Sequence, residues 1–110
     1  MIARKIRAYV EIPVSPANME NPIRYAMTIM NISLSGCFMK INQGLEIGTP
    51  ISFSLPLQGG QTLHLWGAIA REQETPHGYG IIFNAMTEDE RRELALLIAD
   101  SNEQPLAQGI

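Results

Sequence analysis

Residues 30–39 read MNISLSGCFM. An apolar run, the polar pair Asn31 and Ser33, a glycine at Gly36 and a second apolar run follow one another without interruption. Side chains two apart in a strand point to the same face, so Asn31 and Ser33 are placed to meet one group together. Gly36 lets the backbone turn with positive φ or approach a neighbour closely. The stretch therefore reads as two strands joined by a tight turn, with a polar edge where they meet.

Working outward, Arg24–Leu34 is expected as one strand and Gly36–Ile41 as the next, with Cys37, Met39 and Ile41 on the inner face. Upstream, Ala8, Val10, Ile12 and Val14 alternate with Tyr9, Glu11 and Pro13, as a half-buried first strand requires. Ser15–Pro22 between them is rich in Pro, Asn and Ser and reads as a loop. Downstream, Ile51, Phe53, Leu55 and Leu57 mark a fourth strand, and Pro56 puts its end at a sheet edge. Gly59-Gly60 is a hairpin signal leading into a fifth strand, with Leu63, Leu65, Gly67 and Ile69 on one face. Tyr79–Phe83 is a short sixth strand.

The apolar period then changes from two to about 3.6. Thr87 and Glu90 form a capping-box pair, Glu88 and Asp89 sit where a positive helix end favours acids, and Leu94, Leu97 and Ile98 make a stripe that can dock on the sheet. Beyond Asp100 the sequence SNEQPLAQGI has no period and reads as a flexible tail, 101–110. The expectation is an all-β domain over residues 1–100 with one C-terminal helix: a small antiparallel barrel or sandwich, the barrel being favoured because closure removes exposed edges.

Composition narrows the function. At 110 residues, with 45% hydrophobic and 17% charged residues, the chain fits one domain with a single core. Its net charge of −3 provides no global field for a DNA or RNA polymer, although a small anion needs only a local basic cluster. Arg4, Lys5 and Arg7 form one on an N-terminal arm, with no acid before Glu11. Taken alone, that cluster also reads as a solvated terminus. The lone Cys37 makes no internal disulfide, and no segment is long and apolar enough to insert into a membrane. A cytoplasmic protein is the expectation.

Catalytic constellations are poor. His64 and His77 lie on different elements without a second Cys or clustered acids, which argues against a metal. Ser33 and Ser35 lack the flanking glycines and strand-to-helix context of a nucleophile elbow. Glu88–Glu90 are explained by capping, and Cys37 by the core. Asn31 by itself could serve only to satisfy turn backbone groups. No enzyme activity and no cofactor are expected.

The motif N-I-S-L-S-G at Asn31, Ser33 and Gly36, together with W-G-A-I-A-R from Trp66 and Y-G-I-I-F from Tyr79, resembles the PilZ domain family over about residues 4–99. The family pattern is two arginines with three residues between them before the first strand, then Asp or Asn, any residue, Ser, any two and Gly. The second part is matched in full. In the first part Arg7 takes the place of the second arginine, whereas Ala3 stands four positions earlier and Arg4 is one place too close. The resemblance implies a six-stranded antiparallel Greek-key β-barrel closed by a C-terminal helix. It also implies cyclic di-GMP as ligand, held by Arg4 and Arg7 on one side and by Asn31, Ser33 and Gly36 on the other. A partner protein of motility, pilus or exopolysaccharide machinery would read the bound state. A PilZ-like adaptor that works by protein contact alone is the alternative.

Overall fold

In a computed structural model the described residues are 7–16 and 26–108. Arg4, Lys5, most of the expected 15–22 loop and the expected start of the second strand at Arg24 lie outside them. Six strands and one α-helix follow in the expected order: β1 (Ala8–Pro16), β2 (Met27–Ile32), β3 (Gly36–Ile41), β4 (Pro50–Pro56), β5 (Thr62–Glu74), β6 (His77–Phe83) and α1 (Glu88–Gln108). All strand pairs are antiparallel, in the closed order β1-β2-β3-β6-β5-β4. β4 returns beside β1 through Ser15↔Ser54 and Pro16↔Phe53, which leaves no strand with an open edge along its whole length.

The alternating inward residues supply the core. Leu63, Leu65 and Ile69 of β5 are buried while His64, Trp66 and Ala70 are exposed. Cys37, Met39 and Ile41 point inward from β3, as read from the sequence. Phe53 and Phe83 meet as a tilted pair with centroids 6.2 Å apart. Each fully buried side chain of this size contributes roughly 1.5–3 kcal/mol of transfer free energy. Between β4 and β5 the turn Gln58–Gly60 has positive φ at Gly59 (79°) and Gly60 (82°), where glycine is the unstrained choice.

The capping box at α1 is reciprocal: Glu90 N–H donates to Thr87 Oγ1 (3.1 Å) and Thr87 N–H to Glu90 Oε1 (2.8 Å). Leu94 and Ile98 are buried, and the helix packs on β1 and β5. It extends to Gln108, through residues that the missing period assigns to a tail.

Three register shifts interrupt the ladders. They lie between Tyr9 and Ile12 in β1–β2, between Ile29 and Asn31 in β2–β3, and between Ile69 and Arg71 in β5–β6. In β1 the expected alternation persists: Ala8 and Val14 are buried, Val10 and Ile12 pack half-buried against the core, and Tyr9, Glu11 and Pro13 are exposed. In β2 the extra residue shifts the inside-outside phase, with Met27 and Ile29 and then Ile32 buried.

Candidate functional site

Asn31 lies near the end of β2 and Ser33 just beyond it, on the turn to β3. One guanidinium reaches both. Arg7, one residue before β1, donates from Nη1 to Asn31 Oδ1 and makes a long contact from Nη2 to Ser33 Oγ at 3.4 Å. β1 pairs with β2 beside it (Ala8↔Ile32), so strand register carries Arg7 to this turn. The resemblance sets Arg7 and Asn31 on opposite sides of a ligand; in the structure the two are in direct contact. Arg4 lies outside the described residues.

Ser33 is completely buried. Its hydroxyl donates to the Gly36 carbonyl (3.2 Å), accepts from Ser35 N–H (3.3 Å) and lies 3.3 Å from Ser35 Oγ. In this arrangement it shapes the turn and braces Arg7, and Asn31, half-buried, is the member that reaches the surface. Gly36 serves the second of the two roles read for it. It has no positive φ, but a Cβ there would overlap the Ile81 carbonyl oxygen, so glycine permits β3 and β6 to approach. The Ser35 carbonyl also accepts from Phe83 N–H (2.9 Å), tying the turn to the end of β6.

The register extends the site sideways. Tyr9 pairs with Asn31, Asn31 with Phe38, Phe38 with Gly80 and Gly80 with Arg71, a single row across β1, β2, β3, β6 and β5. Directly opposed residues share a face, so the row lies on the outside. Tyr9 is 76% exposed, whereas Phe38 is covered without belonging to the core cluster. Its cover includes Arg71, whose guanidinium carbon stands 6.0 Å from the ring centroid and whose stem lies across Gly80. All three register shifts border this row. Bulges of this kind re-aim side chains beside sites.

Two hollows flank Arg71 and share Phe38. One, of about 460 Å³, is lined by Tyr9, Asn31, Phe38, Arg71 and Gln73 among others. The other, of about 270 Å³, is lined by Arg7, Gly36, Cys37 and Ile82 as well as Phe38 and Arg71. Neither arginine has a carboxylate within 4.0 Å among the described residues. Burial pushes the Cys37 thiol up to about 12, partly offset by the positive charge of Arg7, so this cysteine stays neutral. No group of three or more His, Cys, Asp or Glu placed to hold a metal occurs among the described residues, nor any helix long and apolar enough to cross a membrane.

Sequence reasoning singled out Arg7, Asn31, Ser33 and Gly36, and the structure brings these together. It missed Tyr9, Phe38 and Arg71, which are far apart in sequence and meet only through strand register. The available signal was Gly80, a small residue on the outer face of β6 opposite a long side chain.

The family model described as the PilZ domain matches residues 3–100. No curated protein matches significantly. Among solved structures, the chain is similar to the PilZ domain of CeSA from a cellulose-synthesizing bacterium, with a TM-score of 0.66 and 22% identity over 86% of this chain and 95% of that one. It is also similar to the Bacillus subtilis inhibitor of motility MotI/DgrA, with a TM-score of 0.71 and 12% identity over 97% of this chain. The chain spans about half of that protein, 52% of its length. At these identities the likeness is one of fold.

Proposed function

The chain belongs to the PilZ domain family, and on that premise we propose that it is a receptor for cyclic di-GMP that binds without chemistry and signals to a partner protein. One observation carries this reading: the Arg7 guanidinium is held against Asn31 and Ser33 at the rim of a hollow, without a carboxylate partner among the described residues. A planar guanidinium with free N–H groups can hold phosphate oxygens or a guanine edge through two parallel bonds. Asn31, which accepts from Arg7 and lines the neighbouring hollow, has an amide NH2 to offer to a base. Gly36 lines the same hollow as Arg7 and lets β3 close against β6 beneath it. Arg4 adds a second cation from the arm, three places before Arg7. The Greek-key description of the barrel belongs to the same reading and rests on the order in which β4 returns beside β1.

A ligand that bridges Arg7 and the barrel would create the surface that a partner reads. The partner class, motility, pilus or exopolysaccharide machinery, is supported by relatives described as a motility inhibitor and as a domain from a cellulose-synthesizing bacterium. The setting in which such partners would be met is the cytoplasm.

A second reading, an adaptor that does not bind nucleotide, is favoured by two observations. Arg4 is one place short of the family spacing, and the polar groups of Ser33 are spent within its own turn. Calorimetric titration of cyclic di-GMP into the purified chain separates the two. The receptor reading expects binding, with Arg7→Ala and Asn31→Ala each losing about 1.5–3 kcal/mol, the scale of hydrogen bonds to charged groups. Absence of heat at tens of micromolar ligand leaves the adaptor.

A further inference from the structure

The larger hollow contains groups that the Arg7–Asn31–Ser33 contact does not use. Tyr9 stands at its rim with 76% of its surface exposed, although an aromatic ring gains by burial. Arg71 forms the opposite wall. Among the described residues its guanidinium is held only by a 3.5 Å hydrogen bond to Gln73 Oε1 and by the 6.0 Å approach to Phe38, both at the outer limit of such contacts. Gln73 is otherwise engaged, its Nε2 donating to the carbonyls of Thr75 (3.2 Å) and Pro76 (3.4 Å). The guanidinium is therefore weakly anchored, while the wall behind it is fixed by the turn.

We propose that the hollow between Tyr9 and Arg71 is a subsite for a planar heteroaromatic base, with Tyr9 as stacking face and Arg71 as a stacking or edge-binding cation. Its volume, about 460 Å³, falls within the roughly 300–1,000 Å³ of small-molecule sites. Asn31 lies between the two walls as the direct cross-strand partner of Tyr9 and offers an amide to the base edge. The neighbouring hollow shares Phe38 and Arg71 and contains Arg7, so a ligand with two bases joined through phosphates spans both. Gly80 makes room for the Arg71 stem. A Cβ there would stand 2.9 Å from Arg71 Cγ and would lift the side chain from its place. The identity of the ligand as a guanine dinucleotide rests on the receptor reading above; the preference of the hollow for a planar base does not.

The test is an NMR titration of the full chain with cyclic di-GMP and, separately, with guanosine monophosphate. The signals followed are the Tyr9 ring, the Arg71 and Arg7 Nε–H and the Asn31 side-chain amide. The expected result is that cyclic di-GMP moves both the Tyr9–Arg71 and the Arg7–Asn31 signals. Tyr9→Ala then weakens its binding by at least about fivefold, the lower bound for one base on one aromatic ring, while Tyr9→Phe stays close to the parent. Shifts confined to Arg7 and Asn31, or an unchanged affinity in Tyr9→Ala, overturn the subsite and leave the receptor reading standing. Guanosine monophosphate moving Tyr9 and Arg71 while cyclic di-GMP moves nothing supports the subsite and removes the receptor reading. Silence of Tyr9 and Arg71 toward both nucleotides overturns the proposal.

Discussion

Replacing Gly36 by alanine tests whether backbone contact or the mere loss of a glycine sets the cost at the turn. Gly36 pairs with Ile82, and an added Cβ would overlap the Ile81 carbonyl oxygen and stand 3.3 Å from its carbon and 3.5 Å from Ile82 Cα. All three atoms are backbone of β6, a strand paired on both sides, so no rotamer change relieves the overlap. At Gly80 an added Cβ would instead meet Arg71 Cγ at 2.9 Å and Nε at 3.0 Å, in an exposed side chain that can swing away. Overpacking typically costs about 1–3 kcal/mol. Alanine recovers roughly 0.5–1 kcal/mol of backbone entropy in a strand. Because the overlap at Gly36 is with fixed backbone, the upper end of that cost applies, and Gly36→Ala is expected to lose about 2 kcal/mol net, with Gly80→Ala close to none. At roughly 4–8 °C per kcal/mol for a domain of about this size, Tm falls by about 8–16 °C in the first and by a few degrees at most in the second. Thermal melts followed by circular dichroism read both. Equal losses in the two variants, or a Gly36→Ala melt within about 3 °C of the parent, would refute the argument.

Three further outcomes are expected. Tyr79 is fully buried, its hydroxyl donating to Gln43 O (2.9 Å) and accepting from Leu45 N–H (2.8 Å), so Tyr79→Phe should cost about 1–3 kcal/mol in urea unfolding and speed hydrogen exchange at Leu45. Thr87→Ala removes one half of the capping box and should cost about 1 kcal/mol in the same assay, with Thr87→Ser retaining most of it. The Cys37 thiol is held up to about 12 from 9.0, chiefly by burial, so the unfolded chain loses this proton first as pH rises. Stability should therefore fall between about pH 9 and 12 with a limiting slope near 1.4 kcal/mol per pH unit. Comparison with Cys37→Ala isolates that component, and an identical pH slope in the two proteins would rule it out.

The parts of the fold that were legible in the sequence are those in which one face differs chemically from the other over a short distance. In β5, Leu63, Leu65 and Ile69 alternate with His64 and Trp66, and the burial follows that alternation residue by residue. The bounds of β3 and the cap of α1 were equally local, the first marked by Gly36 and the second by Thr87 and Glu90. In β1 the same alternation held, with Ala8 and Val14 buried, Val10 and Ile12 packed against the core and Tyr9, Glu11 and Pro13 exposed, whereas the bulge between Ile29 and Asn31 in β2 left no mark in the sequence. The far end of α1 escaped detection because residues 101–108 carry no apolar stripe, although the helix continues there. For the site, Asn31, Ser33 and Gly36 stand within one turn and could be read as a group. Tyr9, Phe38 and Arg71 could not, since only the registers of several strand pairs align them.

That alignment bears on what the contact between Arg7 and Asn31 does. A guanidinium has five N–H donors, and among the described residues one on each terminal nitrogen is directed at Asn31 and Ser33. Among the described residues the Nε–H and one N–H on each terminal nitrogen meet no acceptor. Asn31 and Ser33 thus hold Arg7 by one side without closing it, and the rotamer entropy of a long side chain is lost on folding instead of on binding. Arg71 is the opposite case, tethered by contacts at the limits of their range and able to move without cost to the core. On the receptor reading, a held cation beside Asn31 and an adaptable one at the β5 end of the row suit a ligand whose charge is located accurately while its planar part is accommodated by adjustment. On the same reading the burial of Ser33 has a consequence even though its hydroxyl faces no solvent: with Asn31 it braces the side chain that would meet the ligand's charge.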